Sequence, residues 1–247
     1  MGKKILVDHS VFSHAKLASV INVAVAGFEN KLTLLQAKPA VQDLWLRTQI
    51  EALPTVVRLV RDGRLEACSY FELMMESWRG SNFPGNPASD MFRGLNIKEL
   101  QAPFNRSTFR KSAGIDLASK QSQTAFCEWI LKDGETLLRR PEWLRELDEF
   151  ELQALNQLPK YREICRSLSS AQLVDGWHLW TSELHRLDGF LTTDRKFARA
   201  LSANKHLVLA CRPIFPEDLL DEMGVQELDP MPLEYGRRYY LNGTPYD

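Results

Sequence analysis

The sequence predicts an α/β fold built on a parallel sheet. Short apolar segments alternate with segments of helical pattern near both ends of the chain, and this alternation is typical of parallel sheets. The composition, with 44% hydrophobic and 26% charged residues, excludes disordered and fibrous proteins. A length of 247 residues fits one enlarged domain. We expect this domain to cover residues 1–224, with a helical insertion at 81–168, and a tail to follow at 225–247.

The elements before the insertion are set by apolar runs and by the residues that cap or end them. Asp8 follows the first apolar run, and Asp8 or Ser10 can cap the helix that comes next. Pro54 can bend the second helix, and the Asp62–Gly63 pair ends it. We therefore expect a strand at 4–7, a helix at 11–27, a helix at 41–61, a strand at 65–69 and a helix at 71–79.

The pattern changes at residue 80 and becomes regular again at Ser169. The first part of this region is rich in Pro, Gly, Asn and Ser, which indicates an irregular segment, and helical patterns follow it. Within the insertion we expect helices at 121–132, 141–156 and 160–168. After it we expect a helix at 169–187, a strand at 189–193, a helix at 195–203, a strand at 206–211 and a helix at 216–223.

Charge, cysteine spacing and apolar runs exclude several classes of protein. A formal charge of -1 excludes a globally basic nucleic-acid-binding protein. The four cysteines lie far apart and form no CxxC zinc or redox motif, so we expect free thiols in a reducing compartment. The amino terminus has no signal-peptide pattern, and no apolar run approaches the length of a membrane helix. We expect a soluble, cytoplasmic protein with no membrane partner.

Four acidic residues are predicted to meet at one edge of the sheet. Asp8 and Asp194 each follow a strand, and Glu72 lies three residues beyond the second strand. From Asp175 the helix runs about 18 Å in one direction, and the next strand returns about 13–16 Å. Asp175 therefore lies near the edge at which the strands end. Ligands bind at this edge in open parallel sheets.

Converging carboxylates favour a divalent cation. They repel one another and would take up protons unless a hard cation such as Mg²⁺ or Mn²⁺ balanced their charge. Such a cation can activate water beside a phosphate, so the arrangement predicts phosphodiester hydrolysis. Taken singly, Asp8 and Asp194 could instead be helix caps, and Glu72 could be a surface residue. Glu66 and Glu76 are alternatives for the second acid.

Several of these segments resemble the PIN-domain nucleases. The segments KILVDHSVF, SYFEL, DGWHL and LDGFLTTDRKF are similar to the acidic motifs of that family, in its order and spacing. The resemblance covers roughly residues 3–80 and 169–220. It implies a Rossmann-like, three-layer parallel sheet and a Mg²⁺- or Mn²⁺-dependent endoribonuclease that leaves 5′-phosphate and 3′-hydroxyl ends. The residues that would hold the metal and its attacking water are Asp8, Glu72, Asp175 and Asp194.

Other side chains have candidate roles around these acids. Ser10, and either Thr192 or Thr193, could bind a phosphate oxygen or orient a ligand carboxylate. The alternative is that Ser10 is a helix cap and the threonines are ordinary strand residues. His178 and His185 could act as bases or could be structural. Residues 93–120 carry a local excess of positive charge that could follow an RNA backbone, unless they form a solvated loop. The candidate RNA-binding residues are Arg93, Lys98, Arg106, Arg110 and Lys111.

Two other functions compete with a nuclease. A haloacid-dehalogenase-like phosphatase would need a second Asp two residues after the first, where this chain has Ser10. A catalytically weak or inactive PIN-like scaffold could bind RNA or a partner protein. Single-stranded or structured RNA is the expected substrate. The sequence leaves open an inhibitory, antitoxin-like protein partner and a homodimer.

Overall fold

The computed structural model describes residues 2–24, 31–79, 90–106 and 120–246. Its strands are β1 (Lys3–Val7), β2 (Ala18–Ala24), β3 (Lys31–Ala37), β4 (Leu65–Tyr70), β5 (Lys98–Leu100), β6 (Gly189–Leu191), β7 (Pro213–Ile214) and β8 (Arg238–Tyr239). Its α-helices are α1 (His9–Ala15), α2 (Leu44–Arg61), α3 (Phe71–Arg79), α4 (Lys120–Trp129), α5 (Glu135–Leu138), α6 (Pro141–Leu144), α7 (Glu149–Asn156), α8 (Leu158–Cys165), α9 (Leu173–Leu184), α10 (Arg195–Ser202) and α11 (Pro216–Glu222). A π-helical turn at Ile130–Gly134 joins α4 to α5, and a 3₁₀ turn at Ser170–Gln172 leads into α9.

A five-stranded parallel sheet lies at the centre of the fold, in the order β5–β4–β1–β6–β7. The middle strand, β1, has Ile5 opposite Ala67 of β4 and Leu6 opposite Phe190 of β6. The predicted parallel sheet is confirmed, with its first three strands close to their expected positions. Because β1 and β6 are neighbours, the residues that follow them lie side by side at one edge.

Side chains alternate between the two faces of this sheet, and a separate hydrophobic core covers each face. One face carries Leu6 and Phe190, which pack with residues of α4 and of α7 to α10. The opposite face carries Ile5 and Leu191, which pack with residues of α1, α2 and α11. The molecule is therefore α/β with helices on both faces of a parallel sheet, which is compatible with a Rossmann-like fold.

Helix α9 packs on the first face through a stripe of apolar residues. The buried residues of the stripe are Leu173, Trp177, Trp180, Leu184 and Leu187. Gly176 allows α8 and the turn after it to come close, because a Cβ at this position would lie 2.8 Å from Leu168 Cδ1 and 3.3 Å from Cys165 Sγ. This close packing fixes the first turn of α9, which carries Asp175.

A second, antiparallel sheet of β2, β3 and β8 takes the place of most of one predicted helix. The helix predicted at 11–27 is wrong from Lys16 to Ala24, because α1 ends at Ala15 and β2 covers Ala18–Ala24. Residues 25–27 of that prediction lie outside the described residues. Strand β2 pairs with β3 along its whole length. The tail expected at 225–247 supplies β8, in which Tyr239 lies opposite Leu35 of β3.

The outer strands of the parallel sheet also differ from expectation. The strand predicted at 206–211 is wrong, since Val208 is 79% exposed and the edge of the sheet is β7. Strand β5 lies within the segment predicted as a helical insertion, and it pairs with β4. Helices α4, α7 and α8 correspond to helical patterns in that insertion. Within the described ranges, no helix is long and apolar enough to cross a membrane.

Candidate active site

Asp8 and Thr192 are held together at the carboxyl edge of the parallel sheet. Asp8 directly follows β1, and its backbone N–H donates to the Leu191 carbonyl at the end of β6 (2.9 Å). The Thr192 hydroxyl donates to Oδ2 of Asp8 (2.7 Å), and so does the Ser10 hydroxyl (2.5 Å). Both hydroxyls therefore orient the Asp8 carboxylate, which is one of the roles that the sequence assigns to Ser10 and Thr192.

The same two hydroxyls fix the chain that leads to Asp194. The Ser10 hydroxyl accepts a hydrogen bond from the Thr193 backbone N–H (3.0 Å), and the Thr192 hydroxyl accepts one from the Asp194 backbone N–H (3.0 Å). The Asp8 carboxylate, the β6 end and the start of α10 are thus tied into one polar network. Since Asp8 and Thr192 are buried, this network is shielded from water.

Capping accounts for one of the two aspartates that precede helices. Oδ1 of Asp194 accepts hydrogen bonds from the backbone N–H groups of Lys196 (2.8 Å) and Phe197 (2.9 Å), so Asp194 caps α10. Asp8 stands at the corresponding position before α1, but its side chain makes no capping hydrogen bond. Helix capping therefore does not account for Asp8, and its carboxylate can contribute to the site.

Asp175 connects these aspartates to a third element. Burial and the negative charges of Asp8, Asp194 and Glu76 together raise the pKa of Asp175 to about 7, while His178 acts to lower it. These carboxylates therefore act on Asp175 electrostatically. We call Asp8, Glu76, Asp175 and Asp194 the carboxylate cluster. It draws on the ends of β1 and β6, on α3 and on the first turn of α9.

Glu72, the second acid that the sequence predicts, is engaged elsewhere. Its carboxylate forms a two-point ion pair with Arg106, one bond being from Nε to Oε1 at 2.6 Å and the other from Nη2 to Oε2. Gln123 adds a hydrogen bond from Nε2 to Oε2 (3.3 Å). Both charged partners are buried, with Glu72 5% and Arg106 6% exposed. Glu76, the alternative left open by the sequence, is the glutamate of α3 that acts on Asp175.

A buried histidine holds Glu76. His178 is 1% exposed, and its Nδ1 lies 2.5 Å from the Tyr70 hydroxyl, while its Nε2 lies 3.3 Å from Oε1 of Glu76. Burial acts to lower the pKa of His178, but Glu76, Asp8 and Asp175 outweigh it and raise that pKa above its usual value. His178 is therefore a neighbour of the carboxylate cluster, a position that the sequence pattern only suggests.

The second candidate base lies apart from these contacts, and a third histidine was missed. His185 bonds the Gln101 carbonyl through Nε2 (2.8 Å) and stacks on Phe150. His9 is next to Asp8. Burial lowers the pKa of His9 overall, while the charges of Glu76 and Asp8 act to raise it and that of His178 acts to lower it. No local motif distinguishes His9 from an ordinary first residue of a helix, so only the assembled site identifies it.

The predicted RNA-binding residues do not form one described surface. Arg106 is instead buried with Glu72, and Lys98 is paired with Glu66 (3.2 Å). Arg93 is exposed. Arg110 and Lys111 lie outside the described residues. The local charge of this segment therefore serves partly to anchor it to β4 and α3.

The donor set of the carboxylate cluster suits a hard cation, since carboxylate oxygen is the ligand type that Mg²⁺ and Mn²⁺ prefer. Burial and the neighbouring carboxylates raise the pKa of Asp175, and a cation beside them would offset their repulsion. As the side chains stand, no group of three or more His, Cys, Asp or Glu residues in the described ranges is arranged to hold a metal ion. The cluster therefore fits a cation in its chemistry but would need side-chain rearrangement to ligate one.

Comparisons with known proteins supply no relative for this chain. No protein-family model, no curated protein and no solved structure matches it. A function must therefore be inferred from the residues of the carboxylate cluster and from what surrounds them.

Proposed function

We propose that this protein is a Mg²⁺- or Mn²⁺-dependent endoribonuclease of the PIN type. The observation that carries the proposal is the position of Asp175, whose pKa burial and the charges of Asp8, Asp194 and Glu76 raise to about 7. Burying a carboxylate beside other carboxylates costs stability, and a carboxylate with a perturbed pKa at the ligand-binding edge of a parallel sheet is a typical mark of a functional site.

In this proposal Asp8, Glu76, Asp175 and Asp194 hold the cation. A bound Mg²⁺ or Mn²⁺ would supply a Lewis acid and lower the pKa of a water molecule beside the phosphate. The Ser10 and Thr192 hydroxyls hold the Asp8 carboxylate in one orientation. His178 does the same for Glu76 from the interior, and the Tyr70 hydroxyl holds His178 in turn.

Cleavage of labelled single-stranded RNA tests the proposal. Wild-type protein with Mn²⁺ should produce fragments that carry 5′-phosphate and 3′-hydroxyl ends, and EDTA should stop the reaction. Asp8→Asn and Glu76→Gln should each abolish cleavage. Asp133→Asn, at an exposed acid in the π-helical turn, is the matched control and should cleave as wild type does. A folded wild type that cleaves no RNA with either cation would refute the nuclease.

A scaffold without catalytic activity is the second candidate. It is favoured by the absence, among the described residues, of three side chains already arranged to ligate a metal, and by the capping role of Asp194. In that case the protein would bind RNA or a protein partner, and Asp8→Asn would leave the binding unchanged. The cleavage experiment, together with a binding measurement on the same variant, separates the two functions.

A further inference from the structure

A cation and two aromatic rings form a contact that the catalytic proposal does not use. The guanidinium carbon of Arg195 lies 5.2 Å from the centre of the Trp45 ring, within the range of a cation–π interaction. The Trp45 ring in turn meets the Phe215 ring edge-on, with 4.9 Å between the ring centres. We call these three residues the Trp45–Arg195–Phe215 platform.

The platform lies at the same edge of the sheet as the carboxylate cluster. Arg195 is the residue after Asp194, and it opens α10. Phe215 follows β7, which is parallel to β6 and beside it. Trp45 lies in the first turn of α2, the helix that packs on one face of the sheet. Three separate elements therefore converge next to the cluster.

The charge of Arg195 is exposed and has no counter-charge in the described ranges. The residue is open to solvent, and no carboxylate among the described residues lies within ion-pair distance of its guanidinium. By contrast, Arg58 and Arg162 each pair with a carboxylate. Arg195 is instead held by an aromatic ring, which leaves its N–H groups free to bind an anion.

We propose that the platform binds the single-stranded substrate beside the scissile bond, an inference that rests on the proposed nuclease function. The Arg195 guanidinium binds a backbone phosphate, for which its planar fork is suited. The partly exposed Trp45 and Phe215 rings receive an unpaired base. The positive charge of Arg195 also offsets the repulsion between the phosphate and the carboxylate cluster. Paired bases present no free face, so the platform selects single strands over duplexes.

Equilibrium binding of a labelled oligouridylate tests this inference. The parent is full-length Asp8→Asn in the presence of Mg²⁺, so that binding is measured without cleavage. Arg195→Ala in this background should weaken binding about tenfold and reduce the salt slope by about 0.7, the loss of one phosphate contact on a single strand. Trp45→Ala should weaken binding by roughly fivefold or more, and Trp45→Phe should restore most of it.

The matched control is Arg64→Ala, since Arg64 is an exposed arginine that precedes β4 at the opposite edge of the sheet. It should leave both affinity and salt slope unchanged. If the parent binds RNA and the Arg195 and Trp45 variants bind equally well, the platform is refuted while the nuclease proposal stands. If a duplex of equal length binds as tightly and is as sensitive to Trp45→Ala, the selection of single strands is refuted. If the parent binds no RNA and the wild type cleaves none, both proposals fail.

Discussion

The charge of Asp175 depends on its burial and on three acidic neighbours, so its ionisation is coupled to folding. The pKa of Asp175 is about 7 in the folded protein, against the ordinary value of 3.8 that applies to the unfolded chain. The folded state therefore holds a proton on Asp175 over a pH range in which the unfolded chain has lost it. Proton binding by Asp175 therefore stabilises the folded state. By linkage, this contribution is complete below about pH 4 and is lost as the pH rises to about 7.

Asp175→Asn should remove this pH dependence. The shift corresponds to at most about 4 kcal/mol, and to less because the side chain is partly exposed. Between pH 5 and pH 8, without divalent cations, the wild type should lose more unfolding free energy than the variant does. Urea denaturation at the two pH values measures the difference, with Asp133→Asn as the control. Equal losses in wild type and Asp175→Asn would contradict the coupling.

Thr192 and Thr193 are adjacent, buried threonines with opposite hydrogen-bond situations. The Thr192 hydroxyl serves both Asp8 and the Asp194 N–H, whereas the Thr193 hydroxyl has no partner among the described residues. Thr192→Val should therefore cost about 1–3 kcal/mol of stability, because it leaves buried polar groups unsatisfied. Thr193→Val should be neutral or stabilising. Chemical denaturation of both variants checks this, and equal losses would speak against the network.

Local sequence predicts some of these residues well and others poorly. Asp8, Ser10 and Thr192 follow strands, so the strand pattern alone brings them to one edge. Glu72 and Glu76 lie one helical turn apart on α3, and no local signal chooses between them. The choice depends on Arg106, which is 34 residues from Glu72 in the chain, and such a contact cannot be read from periodicity.

At the scale of elements, the ion pair between Glu72 and Arg106 joins α3 to the segment after β5. Arg106→Met should destabilise the protein by about 3–5 kcal/mol, because it leaves a buried carboxylate without its counter-charge. Glu72→Leu combined with Arg106→Met should recover most of this loss, since an apolar pair removes both charges. Thermal and urea denaturation give both values.

The same double variant tests whether Glu72 belongs to the metal site. If Glu72 only anchors α3, the double variant should still be stabilised by Mn²⁺ as the wild type is. If Mn²⁺ does not stabilise the double variant, Glu72 is a ligand of the proposed metal site. Glu76→Gln is the comparison, and it should weaken the response to Mn²⁺.

The element that sequence reasoning mistakes most is the region after α1. Residues 18–24 are rich in Val, Ile and Ala, and a short apolar run of this kind is ambiguous between helix and strand. Pairing with β3 along the whole of β2 decides the outcome. Strand β3 also receives β8, about 200 residues further along, and that pairing has no counterpart in the local pattern.

At the scale of the whole molecule, we expect the carboxylate cluster to lower the stability of the metal-free protein. Mn²⁺ should raise the melting temperature of the wild type, because a ligand that binds only the folded state stabilises it. At a hundredfold excess over Kd the gain is about 2.7 kcal/mol, or roughly 5–10 °C for a chain of this size. Calorimetry with EDTA and with Mn²⁺ measures the shift.

Asp194→Asn is the informative variant for this experiment. An asparagine oxygen can accept the same two hydrogen bonds at the start of α10, so the cap should survive. One negative charge is lost, so the metal-free variant should be at least as stable as the wild type, and its response to Mn²⁺ should be smaller. If Mn²⁺ does not change the melting temperature of the wild type, the metal-site proposal is refuted.

The central position of β1 has a consequence for the newly made protein. Asp8 leaves the ribosome before its partner Thr192, which is 184 residues further along. At about 5–20 residues per second, roughly 10–40 s of synthesis separates the two. During that interval β1 has no neighbour on its β6 side, and its apolar residues are open to chaperones or to other chains. Under the proposed nuclease function, a nascent chain in which Thr192 has not yet been made has an incomplete site and should not cut the RNA around it.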